Sequence, residues 1–182
     1  MTVTRVCTFL TSLMLLSTSN AQGPAFPAPD PEHAWLQRFE GKWTTESKGT
    51  IGPGQPEMHC NGTVSCRMLG KFWVINEWNG DMAGVPVAGV QTIGFDSKTK
   101  KYVGTWVDGM TNHLWNYEGL VENDTKMILE AKGPNLITGE ETGFRDTYEF
   151  KSADEMHITS EMLGDDGQWM TFMSGTAKRA GK

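Results

Sequence analysis

The chain has 182 residues, 38% of them hydrophobic and 21% charged, with a formal net charge of -6 from 16 Lys and Arg against 22 Asp and Glu. These proportions fit one globular domain and exclude a disordered chain or a bundle of membrane helices. The acidic surplus leaves no basic surface to follow a phosphate backbone, which excludes nucleic acid as a partner class. Glycine (21), tryptophan (7) and methionine (11) are abundant, and glycine with aromatics at this density suits many short strands joined by tight turns.

Arg5 is the one charged residue near the amino terminus, and residues 6–16 are mostly apolar. That is the length of the apolar region of an export signal and falls short of the roughly 20 residues a bilayer span needs. The polar run Ser17-Thr18-Ser19-Asn20 closes it, and the small residues Ser19 and Ala21 mark a cleavage site before Gln22. The expectation is a signal peptide over 1–21 and an exported protein, periplasmic or extracellular, with no stable membrane anchor. Pro24, Pro27 and Pro29 make 22–30 an extended leader, and a single domain occupies 31–182. Asp30-Pro31-Glu32 places an acid at a helix N-cap, proline at the first helical position and a second acid in the first turn. A short helix is predicted over 31–39, with Trp35, Leu36 and Phe39 on one face covering something apolar.

After Gly41 the hydrophobic period changes to two. Ten strands are predicted, over 42–48, 58–68, 72–78, 87–95, 102–107, 113–118, 126–132, 142–150, 156–163 and 169–179, with polar connections short enough for antiparallel hairpins. Consecutive antiparallel strands of this number fit an all-β, up-and-down barrel, because closure removes exposed edges. Met127, Leu129 and Ala131 alternate with Lys126, Ile128, Glu130 and Lys132, and Phe144, Tyr148 and Phe150 alternate with Arg145, Thr147 and Glu149, so the first set of each pair is read as the inner one. Strand 102–107 is apolar on both faces and is expected to be covered outside by a helix or loop as well as inside. Cys60 and Cys66 lie six residues apart on one expected strand. At about 3.3 Å per residue they are far beyond the roughly 7 Å that a disulfide tolerates.

The run Glu40-Gly41-Lys42-Trp43 carries a Gly-x-Trp that resembles the opening signature of the calycin barrels, lipocalins and fatty-acid-binding proteins. In those families the Trp closes the narrow end under an Arg from the last strand, and Arg179 is placed to take that part. A longer resemblance lies in Leu69-Gly70-Lys71-Phe72-Trp73-Val74, Gly94-Phe95-Asp96, and above all the run from Thr99 to Met110 (TKKYVGTWVDGM). Gly133-Pro134, Arg145-Asp146 and residues 157–162 extend it. These motifs are similar to the bacterial family called domain of unknown function 1579, from about Trp35 to Arg179. The resemblance implies a lipocalin-like barrel and brings no settled activity with it.

The histidines His33, His59, His113 and His157 show no metal-ligand spacing, and His157 has opposite parity to Met156 and Met162, which argues against a soft-ligand copper site; no metal is expected. No cofactor is expected either; haem on a single histidine is kept as an alternative reading of His113 or His157. No nucleophile elbow occurs. An acid–base site would draw on His113, Asp108 and Arg145, with Glu77 and Glu161 as further candidates, each with a plain structural alternative. The favoured reading is a barrel that binds a small apolar or amphipathic molecule against Trp73, Trp78, Trp106, Trp115, Tyr117, Phe144 and Tyr148. The alternatives are a cofactor-independent lyase, isomerase or hydrolase in the same cavity, and a barrel filled by its own side chains.

Overall fold

Alternation after Gly41 is realised in a computed structural model as ten antiparallel strands: β1 (Gly41–Gly49), β2 (Met58–Leu69), β3 (Trp73–Met82), β4 (Val85–Asp96), β5 (Lys101–Asp108), β6 (Trp115–Asn123), β7 (Lys126–Pro134), β8 (Glu141–Phe150), β9 (Glu155–Leu163) and β10 (Trp169–Arg179). The structure describes residues 26–50, 52 and 54–181; the expected signal segment 1–21 and the first residues of the leader lie outside the described residues. Every strand pairs with its sequence neighbours, and β1 closes on β10, giving an up-and-down barrel. No helix among the described residues is long and apolar enough to cross a membrane.

Register decides which side chains enter the barrel. Around its middle, Cys66 lies opposite Asn76, Asn76 opposite Gln91, Gln91 opposite Trp106, Leu129 opposite Asp146, and Asp146 opposite Ser160. A side chain two positions along any of these strands shares that inner face, and one position along points out. Trp78 is therefore inside and Trp73 outside.

Two expectations about local structure are corrected. The helix over Pro31–Phe39 is a 3₁₀ helix, so with three residues per turn its buried line is His33, Leu36 and Phe39 rather than Trp35, Leu36 and Phe39. Trp35 sits at its margin, donating through Nε1 to the Asp124 carbonyl at 3.2 Å. Asp30 holds the N-cap position without a side-chain capping bond; its carboxylate faces Lys100 Nζ at 3.5 Å. The second correction concerns β5, whose outer face is only partly covered: Val103 and Thr105 are half-buried and Val107 is 44% exposed. A valine there suits the pleated strand even where it meets water.

The helix plugs one end of the barrel. Leu36, Phe39 and Trp43 are sealed there, with Phe150 at 5.3 Å from Phe39 and 6.2 Å from Trp43 between ring centroids. Arg179 lies over Trp43 at 4.2 Å from the ring centroid, and its guanidinium donates to the carbonyls of Ala153, Arg38 and Glu40. The Trp–Arg closure implied by the calycin resemblance is thus present. Cys60 and Cys66 are buried, unbridged, and lie on the continuous strand β2; burial pushes the Cys66 thiol up to about 12.

Candidate binding site in the barrel lumen

At the end away from the helix the inner wall is panelled by tryptophan laid over glycine. Gly62 and Gly80 leave room for Trp78: a Cβ at Gly62 would stand 2.9 Å from Trp78 Nε1, and one at Gly80 2.8 Å from Cζ2. A Cβ at Gly89 would collide with Trp106, and one at Gly133 with Trp115. Each indole thereby folds along the wall across a neighbouring strand. Trp78 and Trp106 stay half-buried with centroids 6.5 Å apart, and Trp115 packs edge-on against Phe144 at 4.7 Å. β3 runs four residues further than expected, through Asn79-Gly80 to Met82.

Below these rings the lumen turns polar. Asn76 Nδ2 donates to Gln91 Oε1 at 3.0 Å, and Gln91 Nε2 donates to the Tyr148 hydroxyl at 2.7 Å, a bond that joins β4 to the far wall at β8. Asn76 Oδ1 is buried and accepts nothing. Beside Tyr148 on the same face, Asp146 accepts from the Tyr117 hydroxyl and from Ser160 Oγ, both at 2.6 Å. Asp146 lies deep within the barrel yet is not sealed, and keeps part of its surface accessible. Desolvation raises its carboxyl above the ordinary 3.8 although both hydroxyls act the other way. Burial likewise raises the Tyr117 and Tyr148 phenols. Phe39 packs beneath Tyr148 at 5.4 Å, so the polar layer rests on the helix plug.

The structure sorts the candidate residues. Trp78, Trp106, Trp115, Tyr117, Phe144 and Tyr148 line the interior. Trp73 does not: it lies over Gly94 on the outer wall, 38% exposed, because its odd spacing from Trp78 on one strand puts them on opposite faces. Arg145 is also outside, bonded to Glu130 at 2.7 Å and stacked over Trp169 at 4.0 Å, while its neighbour Asp146 points in. Glu77 pairs with Arg67 outside, and Glu161 lies opposite Arg145 on the same outer face. Asp108 is committed to its loop, accepting from Trp106 Nε1 and from the backbone N–H groups of Met110 and Thr111 at 2.7–2.8 Å. His113 stands at the rim, Nε2 at 3.1 Å from the Lys132 carbonyl and its ring edge on Trp115. The proposed acid–base set of His113, Asp108 and Arg145 is therefore not assembled.

His157 and His59 are on the outer wall beside Glu155 and Glu57, and His33 is buried between Phe72 and Phe95. The polar residues that do meet in the lumen, Asn76, Gln91, Asp146 and Ser160, were overlooked in sequence. Parity was the signal available: Asp146 falls between Phe144 and Tyr148 on the face already recognised as buried, and Asn76 between Val74 and Trp78.

Comparison with known proteins agrees with this architecture. The family model described as "Protein of unknown function (DUF1579)" matches residues 28–179. Among solved structures, Rv2717c from M. tuberculosis shares 13% identity, with 85% of this chain and 100% of that chain covered at a TM-score of 0.61. The S-type phycobiliprotein lyase CPES from Guillardia theta shares 11% identity, with 83% and 93% covered at a TM-score of 0.55. At these identities both likenesses concern the fold. No curated protein matches the chain.

Proposed function

The chain belongs to the DUF1579 family, which brings a barrel and no reaction, and we propose from the lumen itself that this protein binds a small amphipathic molecule inside the barrel. The observation that carries this reading is the pairing of tryptophan panels with a buried polar layer that keeps an unpartnered acceptor, Asn76 Oδ1. An apolar wall with a few fixed polar groups is the usual composition of a small-molecule site. An unpaired buried polar atom costs roughly 1–3 kcal/mol unless something satisfies it. A ligand with a polar head toward Asn76 and an apolar body between Trp78, Trp106 and Trp115 answers both features.

The test is uptake of a neutral fluorescent hydrophobic probe, with native mass spectrometry of freshly purified protein for a copurified molecule. Trp106→Ala should weaken uptake, while Trp73→Ala, altered on the outer wall, should leave it unchanged. Absence of binding by any probe or lipid mixture gives the lumen to its own side chains. Acid–base catalysis on a bound compound is the second reading, supported by the buried Asp146 carboxyl; turnover lost in Asp146→Asn with binding intact would favour it. We also propose export through cleavage before Gln22, which the intact mass of protein recovered outside the cytoplasm tests.

A further inference from the structure

We infer that the ligand is a cation, an amine or amidine on an apolar or aromatic body, held by Asp146 and Asn76 beneath the tryptophan panels. This inference rests on the lumen-binding reading and names the chemical class that the lumen selects.

The lumen's charge is one-sided. Among the described residues no Lys or Arg stands at an inward register position except Arg179, and Arg179 is committed to Trp43 and three carbonyls at the plugged end. Of the two carboxylates at inward strand positions among the described residues, Asp108 is occupied by Trp106 Nε1, the backbone N–H groups of Met110 and Thr111 and the Thr111 hydroxyl, which leaves Asp146. Its two hydroxyl partners leave about half of the acceptor capacity of a carboxylate unused. A carboxylate ligand would place a second anion beside a desolvated one, at a cost set by the low dielectric. A fatty acid is therefore the wrong occupant for this barrel.

Hydrogen-bond polarity points the same way. Tyr117 and Ser160 donate to Asp146, Asn76 donates to Gln91, and Gln91 donates to Tyr148. The network leaves open two acceptors, Asn76 Oδ1, in a residue only 6% exposed, and the remaining lone pairs of Asp146, beside the Tyr148 hydroxyl proton and one N–H each of Asn76 and Gln91. An ammonium or amidinium brings N–H donors for those two acceptors and a positive charge for Asp146. The burial cost of Asp146 is already borne by the folded chain, so an arriving cation restores the solvation that the carboxylate lost.

The experiment is calorimetric titration of three compounds with one body and different heads: 2-(1-naphthyl)ethylamine, 2-(1-naphthyl)ethanol and 1-naphthylacetate. At about pH 7.5 the amine is cationic and the acid anionic. The amine should bind about tenfold or more tightly than the alcohol, and the carboxylate least. Asp146→Asn should bring the amine down to the alcohol while leaving the alcohol's affinity in place, and Asn76→Leu should weaken the amine. Should Asp146→Asn fail to fold, the wild-type ranking and Asn76→Leu decide. Equal or tighter binding of the carboxylate overturns the inference while lumen binding stands. So does an amine preference that survives both substitutions, since it would come from the acidic outer surface. If none of the three compounds binds, lumen binding itself fails and this inference falls with it.

Discussion

Gly89→Ala tests whether the tryptophan panels depend on the glycines beneath them. The added Cβ would collide with Cη2 and Cζ2 of Trp106, ring atoms fixed by the Trp106 Nε1 bond to Asp108 at 2.8 Å. The backbone of Gly89 is ordinary strand paired with Trp78 and Asp108, so alanine is conformationally acceptable and the whole effect is steric. Overpacking of this kind costs about 1–3 kcal/mol, and losing the indole bond about 0.5–1.5. Against that, alanine reduces unfolded-chain entropy by about 0.4–1 kcal/mol. The net destabilisation is about 2 kcal/mol, or a fall of about 4–8 °C in Tm for a chain of this size. The matched control is Gly109→Ala, whose Cβ meets only the Ala88 carbonyl oxygen at 3.8 Å. Thermal unfolding followed by far-UV circular dichroism gives the comparison, and the neutral-probe titration reports the displaced ring as weaker uptake. Equal Tm values for the two alanine variants, with unchanged uptake, would refute the reasoning: the indole would then be free to leave the wall.

Asp146→Asn should flatten the stability–pH profile. Burial raises the native carboxyl above 3.8, so the unfolded chain ionises first and the native state loses stability as pH climbs from 3.8 through the raised value; urea unfolding across that window should show wild type falling relative to the variant, and parallel profiles would contradict it. Arg179→Lys should cost about 2–3 kcal/mol in urea unfolding, because an ammonium cannot reach three carbonyls and lie over Trp43 together; a loss below about 0.5 kcal/mol would remove the closure role. Cys66, its thiol raised to about 12, and Cys60, also raised by burial, should resist alkylation in the native protein and react fully once unfolded. Peptide mass mapping reads this, and a crosslinked peptide joining them would show that β2 is interrupted.

The barrel was legible because its wall obeys one simple rule over most of its length. Strands such as β7, with Met127, Leu129 and Ala131 against Lys126, Ile128, Glu130 and Lys132, can be read as inside and outside because three of the four outward residues are charged. The rule failed to place ends where glycine serves packing rather than turning. Gly80 looks like a turn residue beside Asn79, yet it sits in the ladder opposite Gly62 because Trp78 needs the space. Only the neighbouring strand's register makes that need visible. The helix was located correctly, but its buried face was drawn for 3.6 residues per turn. His33, Leu36 and Phe39 follow a period of three, which Pro31 and the short span do not by themselves distinguish.

The site was harder, and the reason is physical. Sequence reasoning sought ligand contacts among aromatics and chemistry among exposed-looking charges, which separates two groups that this lumen combines. Trp73 and Trp78 were both assigned inward although an odd spacing on a continuous strand forbids it. Arg145 stands among the sequence candidates, whereas Asp146, between the inward Phe144 and Tyr148, does not. The pairing Arg145 does make is with Glu130 on the outer wall, which leaves Asp146 to the hydroxyls of Tyr117 and Ser160. A carboxylate placed by parity among aromatic residues, with no Lys or Arg on the same inner face beyond the plugged end among the described residues, is a more specific signal than any count of tryptophans. The polar layer around it draws on residues from five different strands, β3, β4, β6, β8 and β9, whose meeting only barrel closure brings about.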